Sequence, residues 1–208
     1  MKSKLQYISQ GNSLDEQQQN ISRALDHGAD WIQVRWKNVP EKELASLSET
    51  VRRWCTDYNA VCIINDNIHI AKQVDADGIH LGLNDASIQK ARALLGKGKI
   101  IGGTANTLEQ VMQRTREKCD YIGLGPFRFT TTKSDLSPVL GTKGYTELLQ
   151  QIKLLNIKIP PVYAIGGIEY TDIAALMKTG ISGIAVSGMI TQNPEFILKI
   201  MKQLEENE

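Results

Sequence analysis

Apolar residues along the chain gather in short runs separated by longer amphipathic stretches, and the alternation continues from end to end. The runs are Leu5–Ser9, Trp31–Trp36, Val61–Asn65, Gly78–Gly82, Lys99–Thr104, Tyr121–Gly125, Pro161–Gly166 and Gly183–Ser187. Rich in Ile, Val and Leu, they suit strands buried on both faces. Between them, Leu44, Leu47, Val51 and Trp54 recur at helical spacing, as do Ile173, Leu176 and Met177. Helix openings are signalled by Asn12-Ser13, by Thr107 three residues before Gln110, and by Thr171-Asp172. Helix exits are signalled before three strands, at His27-Gly28-Ala29-Asp30, Asp75-Ala76-Asp77-Gly78 and Thr179-Gly180-Ile181-Ser182-Gly183, where glycine supplies a left-handed turn. Eight strands alternating with eight helices predict a parallel (β/α)8 TIM barrel, one domain over residues 1–208. A doubly wound open sheet is the rival, but it rarely fits eight strands into 208 residues.

Composition narrows this picture without changing it. The 41% hydrophobic content supports a sizeable core, and 24 Lys+Arg against 23 Asp+Glu leave a net charge of +1. That balance argues against a nucleic-acid binder, which normally carries a basic excess. No apolar run approaches the roughly 20 residues of a membrane span, and Met1-Lys2-Ser3-Lys4-Leu5 leads into a strand rather than a signal-peptide core. Three cysteines without CxxC spacing exclude a disulfide framework or a zinc ribbon as the expected basis of the fold. A cytoplasmic protein is expected, with no membrane or nucleic-acid partner and with room for a homo-oligomer.

A barrel of this kind works at the C-terminal ends of its strands. Gln33, Arg35 and Lys37 alternate at the end of strand 2 and so share one face. Inside a barrel an unpaired cation is costly, so the trio makes sense if it meets an anion; an exposed edge strand is the alternative. Asn65-Asp66 ends strand 3 and Asp85 follows strand 4. Two carboxylates on neighbouring strand ends can hold a hard dication such as Mg²⁺, although for either residue alone a helix cap is the commoner explanation. Thr104 and Asn106 end strand 5. Strand 6 runs into Gly125-Pro126 and the loop Thr130-Thr131-Thr132-Lys133, inside a long interruption from Pro126 to Gly144 in which Gly141 and Gly144 are candidate hinges. Gly166-Gly167 and Ser187-Gly188 end strands 7 and 8, where backbone amides can approach a phosphate. Two phosphorylated partners are therefore expected, one at strands 7 and 8 and one, with Mg²⁺, at strands 2 to 4.

These residues, in this order, resemble the thiamine phosphate synthase family. The resemblance runs from Ile8 to the last helix. It rests on Gln33-x-Arg35-x-Lys37, Asn65-Asp66, Gly82-x-x-Asp85, Gly123-Leu124-Gly125-Pro126 before Thr130-x-Thr132-Lys133, Ile165-Gly166-Gly167-Ile168 and Val186-Ser187. It implies a transferase that joins hydroxymethylpyrimidine diphosphate to thiazole phosphate, releasing pyrophosphate and giving thiamine phosphate. It also implies the roles. Asp66 and Asp85 would ligate Mg²⁺. Arg35, Lys37, Asn65 and Lys133 would hold the diphosphate, with Thr104 standing where the family usually has Ser. Arg35, Lys37, Lys133 and Thr104 would then be the catalytic set. Gln33 would position the pyrimidine, and Thr130, Thr132, Gly167, Val186 and Ser187 would bind the thiazole phosphate.

Three departures accompany the match. The family's Gly-Gln-x-Asp reads Gly82-Leu83-Asn84-Asp85, with Asn84 the candidate replacement for Gln; Ser-x-His reads Thr104-Ala105-Asn106; and an aromatic-proline pair reads Arg128-Phe129, adding a cation to the loop. The related thiazole tautomerases use the histidine at the Asn106 position to move a proton, which asparagine cannot do near neutral pH. That leaves the tautomerase, and a non-catalytic thiazole-phosphate or thiamine-phosphate binder, as the alternatives. His69 and His80 are expected to pack or cap.

Overall fold

Each of the eight apolar runs forms a strand in the computed structural model, which describes residues 3–129 and 138–206. The strands are β1 (Leu5–Ile8), β2 (Trp31–Val34), β3 (Val61–Asn65), β4 (Gly78–Leu81), β5 (Ile100–Ala105), β6 (Tyr121–Leu124), β7 (Val162–Ile165) and β8 (Gly183–Val186). Several stop one or two residues short of the apolar run, although backbone bonding to the neighbouring strand continues just past the end at Ser9, whose amide donates to the Gln33 carbonyl at 2.9 Å, and at Gly125, whose amide donates to the Ala105 carbonyl at 3.1 Å. All neighbours are parallel, and β8 returns to β1 through Leu5↔Ile184, so the sheet closes into a barrel in sequence order.

Among the described residues nine α-helices connect and surround the strands, one more than expected. They are α1 (Leu14–Asp26), α2 (Glu41–Asp57), α3 (Ile68–Gln73), α4 (Ile88–Leu95), α5 (Leu108–Arg116), α6 (Gly141–Leu154), α7 (Ile173–Met177), α8 (Gly188–Gln192) and α9 (Ile197–Glu206). The additional helix is the short α8, directly after β8. Ser13 and Thr107 cap α1 and α5 as their spacing suggests, accepting from the amides of Glu16 and Gln110. Thr171-Asp172 does not open α7 directly. A 3₁₀ turn, Tyr170–Asp172, comes first, and its N-cap is Glu169 in a reciprocal capping box with Asp172. No helix among the described residues is long and apolar enough to cross a membrane.

One helix exit works differently from its sequence signal. In Asp75-Ala76-Asp77-Gly78 the left-handed residue is Asp75, at φ 50°, while Gly78 already belongs to β4. Gly78 is glycine for another reason: a Cβ there would lie 2.1 Å from the Ile100 carbonyl oxygen.

The barrel interior is layered. Trp31, Ile63, Tyr121 and Tyr163 fill its N-terminal end, with Trp31 packed edge-on against both tyrosines at 5.0 Å between centroids. A polar layer lies above them. Gln33 Nε2 donates to Gln6 Oε1 at 2.9 Å, Gln6 Nε2 donates to the Tyr121 hydroxyl at 3.2 Å, and that hydroxyl meets His80 Nδ1 at 3.0 Å. Above this layer the interior opens into a cavity.

Candidate active site

The cavity has a volume of about 700 Å³ and occupies the C-terminal end of the barrel. Gln33, Arg35, Lys37, Asn65, Asp66, Asp85, Thr104, Gly167, Val186 and Ser187 all line it. Thr130, Thr132 and Lys133 lie outside the described residues.

Gln33, Arg35 and Lys37 keep their shared face although β2 ends at Val34. The backbone beyond the strand is held instead by side chains: the Arg35 amide donates to Ser9 Oγ at 2.9 Å, and its carbonyl accepts from Gln17 Nε2 at 3.3 Å. Lys37 Nζ stands 3.1 Å from Asp66 Oδ2. Burial holds the Arg35 pKa below its usual value, partly offset by the nearby Asp66 carboxylate.

Asp66 and Asp85 come together across the ends of β3 and β4, their carboxyl groups close enough to shift each other's proton affinity. Burial and the facing Asp85 push the Asp66 pKa up to about 6 against the pull of Lys37. At Asp85 burial is outweighed by the facing Asp66 and by the Gly82 amide, which donates to its carboxylate at 2.6 Å, and its pKa is lowered. Neither aspartate caps the next helix. Asn67 caps α3 through the Ile70 amide, and Ser87 caps α4 through the Lys90 amide. The donor set fits a hard dication: two adjoining carboxylates whose mutual repulsion a cation would relieve, in a cavity with room for its waters and for substrate oxygens. Among the described residues no cluster of three or more His, Cys, Asp or Glu side chains has metal-binding spacing, so a cation here would complete its shell from solvent and substrate.

At the opposite side of the cavity, Gly166 and Gly167 both take positive φ, 93° and 69°, turning the chain sharply after β7. Ser187 precedes α8 and donates from its hydroxyl to Gln10 Oε1 at 3.2 Å. The chain after β6 runs beside the glycine turn. Phe127 and Arg128 donate their amides to Ile165 and Gly166 carbonyls at 2.8 and 2.9 Å. The Arg128 guanidinium donates to the Gly167 carbonyl and, at 3.0 and 3.1 Å, to both oxygens of Asp172.

A family model described as thiamine monophosphate synthase matches residues 5–190. The chain belongs to the thiamine monophosphate synthase family. A thiamine-phosphate synthase of Flavobacterium psychrophilum is 56% identical over 207 residues, spanning 98% of this chain and 100% of its own. One from Flavobacterium johnsoniae is 55% identical over 206 residues, spanning 99% and 96%. The solved thiamine phosphate pyrophosphorylase of Pyrococcus furiosus superposes with a TM-score of 0.80 at 30% identity, covering 97% of this chain and 96% of that one.

Within this thiamine monophosphate synthase framework, further residues reach the cavity that no sequence motif marks as functional. His80, which its sequence context marks for packing or capping, is 4% exposed yet lines the cavity, and its Nε2 meets Thr104 Oγ1 at 3.0 Å. Its signal was available in β4, where His80 is the polar residue of an otherwise apolar strand. Asn84, at the position of the family's glutamine, is exposed and does not line the cavity. Asn106 lines the cavity, but its amide donates to the Gly125 carbonyl. Arg128 is tied to Asp172 and Gly167 rather than held out as a further cation. Gly144 lies within α6, which begins at Gly141, so it is no hinge.

Proposed function

We infer that this chain joins hydroxymethylpyrimidine diphosphate to thiazole phosphate, forming thiamine phosphate and releasing pyrophosphate, with Mg²⁺ bound by Asp66 and Asp85. The observation that carries this reading is the facing Asp66–Asp85 pair with Lys37 and Arg35, opposite a glycine turn across one cavity. A diphosphate reconciles the acids with the bases, because a dication and cationic side chains neutralise it jointly.

The chemistry is leaving-group departure followed by capture. The carbon–oxygen bond of the pyrimidine methylene breaks and pyrophosphate leaves with the electron pair. The thiazole nitrogen lone pair then forms the new carbon–nitrogen bond. Arg35 and Lys37 hold the diphosphate and stabilise the charge that grows on it as the bond breaks. A bound Mg²⁺ would add Lewis-acid neutralisation of the same oxygens. Thr104, oriented by His80, offers its hydroxyl beside the leaving group, and Asn65 does so with its amide. Gln33, fixed by Gln6, orients the pyrimidine. The amides around Gly167, Val186 and Ser187 receive the thiazole phosphate, so the acceptor nitrogen is presented to the carbon in a fixed line. Lys133, Thr130 and Thr132 belong to the same reading as ligands of the two phosphorylated groups. So do a cytoplasmic location, small-molecule substrates without nucleic-acid or membrane partners, room for a homo-oligomer, and a single domain.

The test is direct. Purified protein incubated with both phosphorylated substrates and Mg²⁺ is expected to form thiamine phosphate and pyrophosphate in equal amounts, followed by fluorescence of the oxidised product. Tight thiazole-phosphate binding without product would overturn the reading in favour of a non-catalytic binder.

A further inference from the structure

A buried guanidinium lies just outside the cavity wall. Arg114 sits on α5 and is 4% exposed. The ladder between β4 and β5 ends at the Leu81–Gly103 pair. One residue further on, the carbonyls of Gly82 and Thr104 both accept from this one side chain, Nη2 donating to Gly82 and Nε to Thr104, each at 3.0 Å. The remaining nitrogen, Nη1, donates to Glu117 Oε2 at 2.8 Å. Burying a cation is costly, and an apolar side chain would fill this site more cheaply. The fork therefore requires a reason beyond packing.

Its two acceptors suggest one. The amide of Gly82 holds Asp85 Oδ2 at 2.6 Å, and the hydroxyl of Thr104 faces the cavity, 3.0 Å from His80. Arg114 thus ties together the two strand ends that carry Asp85 and Thr104, at the point where the sheet no longer joins them. The neighbouring sequence makes room for it. A Cβ at Gly103 would lie 2.8 Å from both Arg114 Cδ and Cys119 Sγ.

We propose that Arg114 is a positioning residue for the diphosphate half of the site, fixing the separation between Asp85 and Thr104 and thereby the affinity for a divalent cation with a diphosphate. The inference rests on the functional reading above, which assigns that half of the cavity to cation and diphosphate. Acceptor-phosphate binding, between β7 and β8 on the other side of the barrel, is independent of it.

The variant R114M/E117Q removes the fork together with the carboxylate it would otherwise strand. Two readouts test it: calorimetric binding of Mn²⁺ with inorganic pyrophosphate, and initial rates with Mg²⁺ and each substrate varied in turn. Partners that orient metal ligands are worth roughly tenfold or more in metal affinity. The expected result is therefore Mn²⁺–pyrophosphate binding weakened about tenfold and a Mg²⁺ requirement raised to match, with the KM for thiazole phosphate within about twofold of wild type. Unchanged Mn²⁺–pyrophosphate binding overturns the proposal. So does a parallel loss for both substrates, which marks a merely structural role. If the double variant does not fold, R114K, which keeps a charge for Glu117 but cannot fork to both carbonyls, must give the same split. A wild-type chain that binds Mn²⁺–pyrophosphate but makes no thiamine phosphate would sink the functional reading alone; one that binds none would sink both.

Discussion

Asp66 occupies a left-handed backbone conformation, φ 64°, which an aspartate tolerates but does not prefer. Its amide is tied to the His80 carbonyl at 2.9 Å, and its carboxyl is pressed against Asp85 and Lys37. Strain and crowded charge at one residue are what a ligand-binding position accumulates, at the expense of local stability. Asp66→Ala is therefore expected to lower Mg²⁺-dependent turnover at least about 100-fold, since the ligand itself is lost. The same change should leave the fold intact but lower the thermal midpoint slightly, as followed by circular dichroism, because alanine tolerates φ 64° less well than aspartate and the Lys37 pair is lost, while relief of the crowding against Asp85 offsets part of the cost. Retained turnover would mean that the cation is held elsewhere. Residue identity was legible here, but residue purpose was not. Asp before a helix reads equally well as a cap, and only the positions of Asn67 and Ser87 remove that alternative. His80 shows the converse. Its place on an apolar strand looked like packing until the barrel brought Thr104 to its Nε2.

Among the elements, the segment after β6 and the turn after β7 behave as one unit. Arg128 joins them through Asp172 and the Gly167 carbonyl, and the Leu140 and Gly141 amides close the segment's far end onto the Pro126 and Phe127 carbonyls at 2.9 and 3.0 Å. Arg128 is partly exposed, so its bidentate pair is worth about 1 kcal/mol rather than the value of a buried one. Arg128→Ala should loosen the glycine turn and raise the KM for thiazole phosphate roughly fivefold, with the KM for the pyrimidine diphosphate unchanged. Initial-rate kinetics with each substrate varied in turn will show this; equal changes in both would disprove the coupling. Element boundaries were readable wherever a local hydrogen bond sets them, as at Ser13 and Thr107. They were misread where tertiary contact decides. Gly78 suggested a turn, yet the approach of Ile100 demands it within a strand, and α7 acquires a 3₁₀ opening whose Asp172 is also held by Arg128.

Across the whole molecule, stability and function occupy opposite ends of the barrel. Trp31, buried and packed edge-on against Tyr121 and Tyr163, closes the end remote from the cavity, and its indole nitrogen has no hydrogen-bond partner among the described residues. Trp31→Ala should therefore lower unfolding free energy by about 3–5 kcal/mol. Trp31→Phe, which sacrifices volume but no hydrogen bond, should cost less than about 1.5 kcal/mol. Urea unfolding measures both, and equal losses would show that the indole nitrogen matters after all. Neither change should alter the KM values at temperatures where the variant remains folded.

The order of strands, their parallel sense and the rim on which chemistry gathers were all written in periodicity and glycine placement. Both faces of every strand are covered, and that leaves a pattern in the chain with no need of a partner's position. The contact of Asp66 with Asp85, the joining of His80 to Thr104 and the fork of Arg114 had no such pattern. Each unites residues 10 to 32 positions apart, brought together only when neighbouring strands align in register. Side-chain partners across a barrel are chosen by closure and register, which no local propensity encodes.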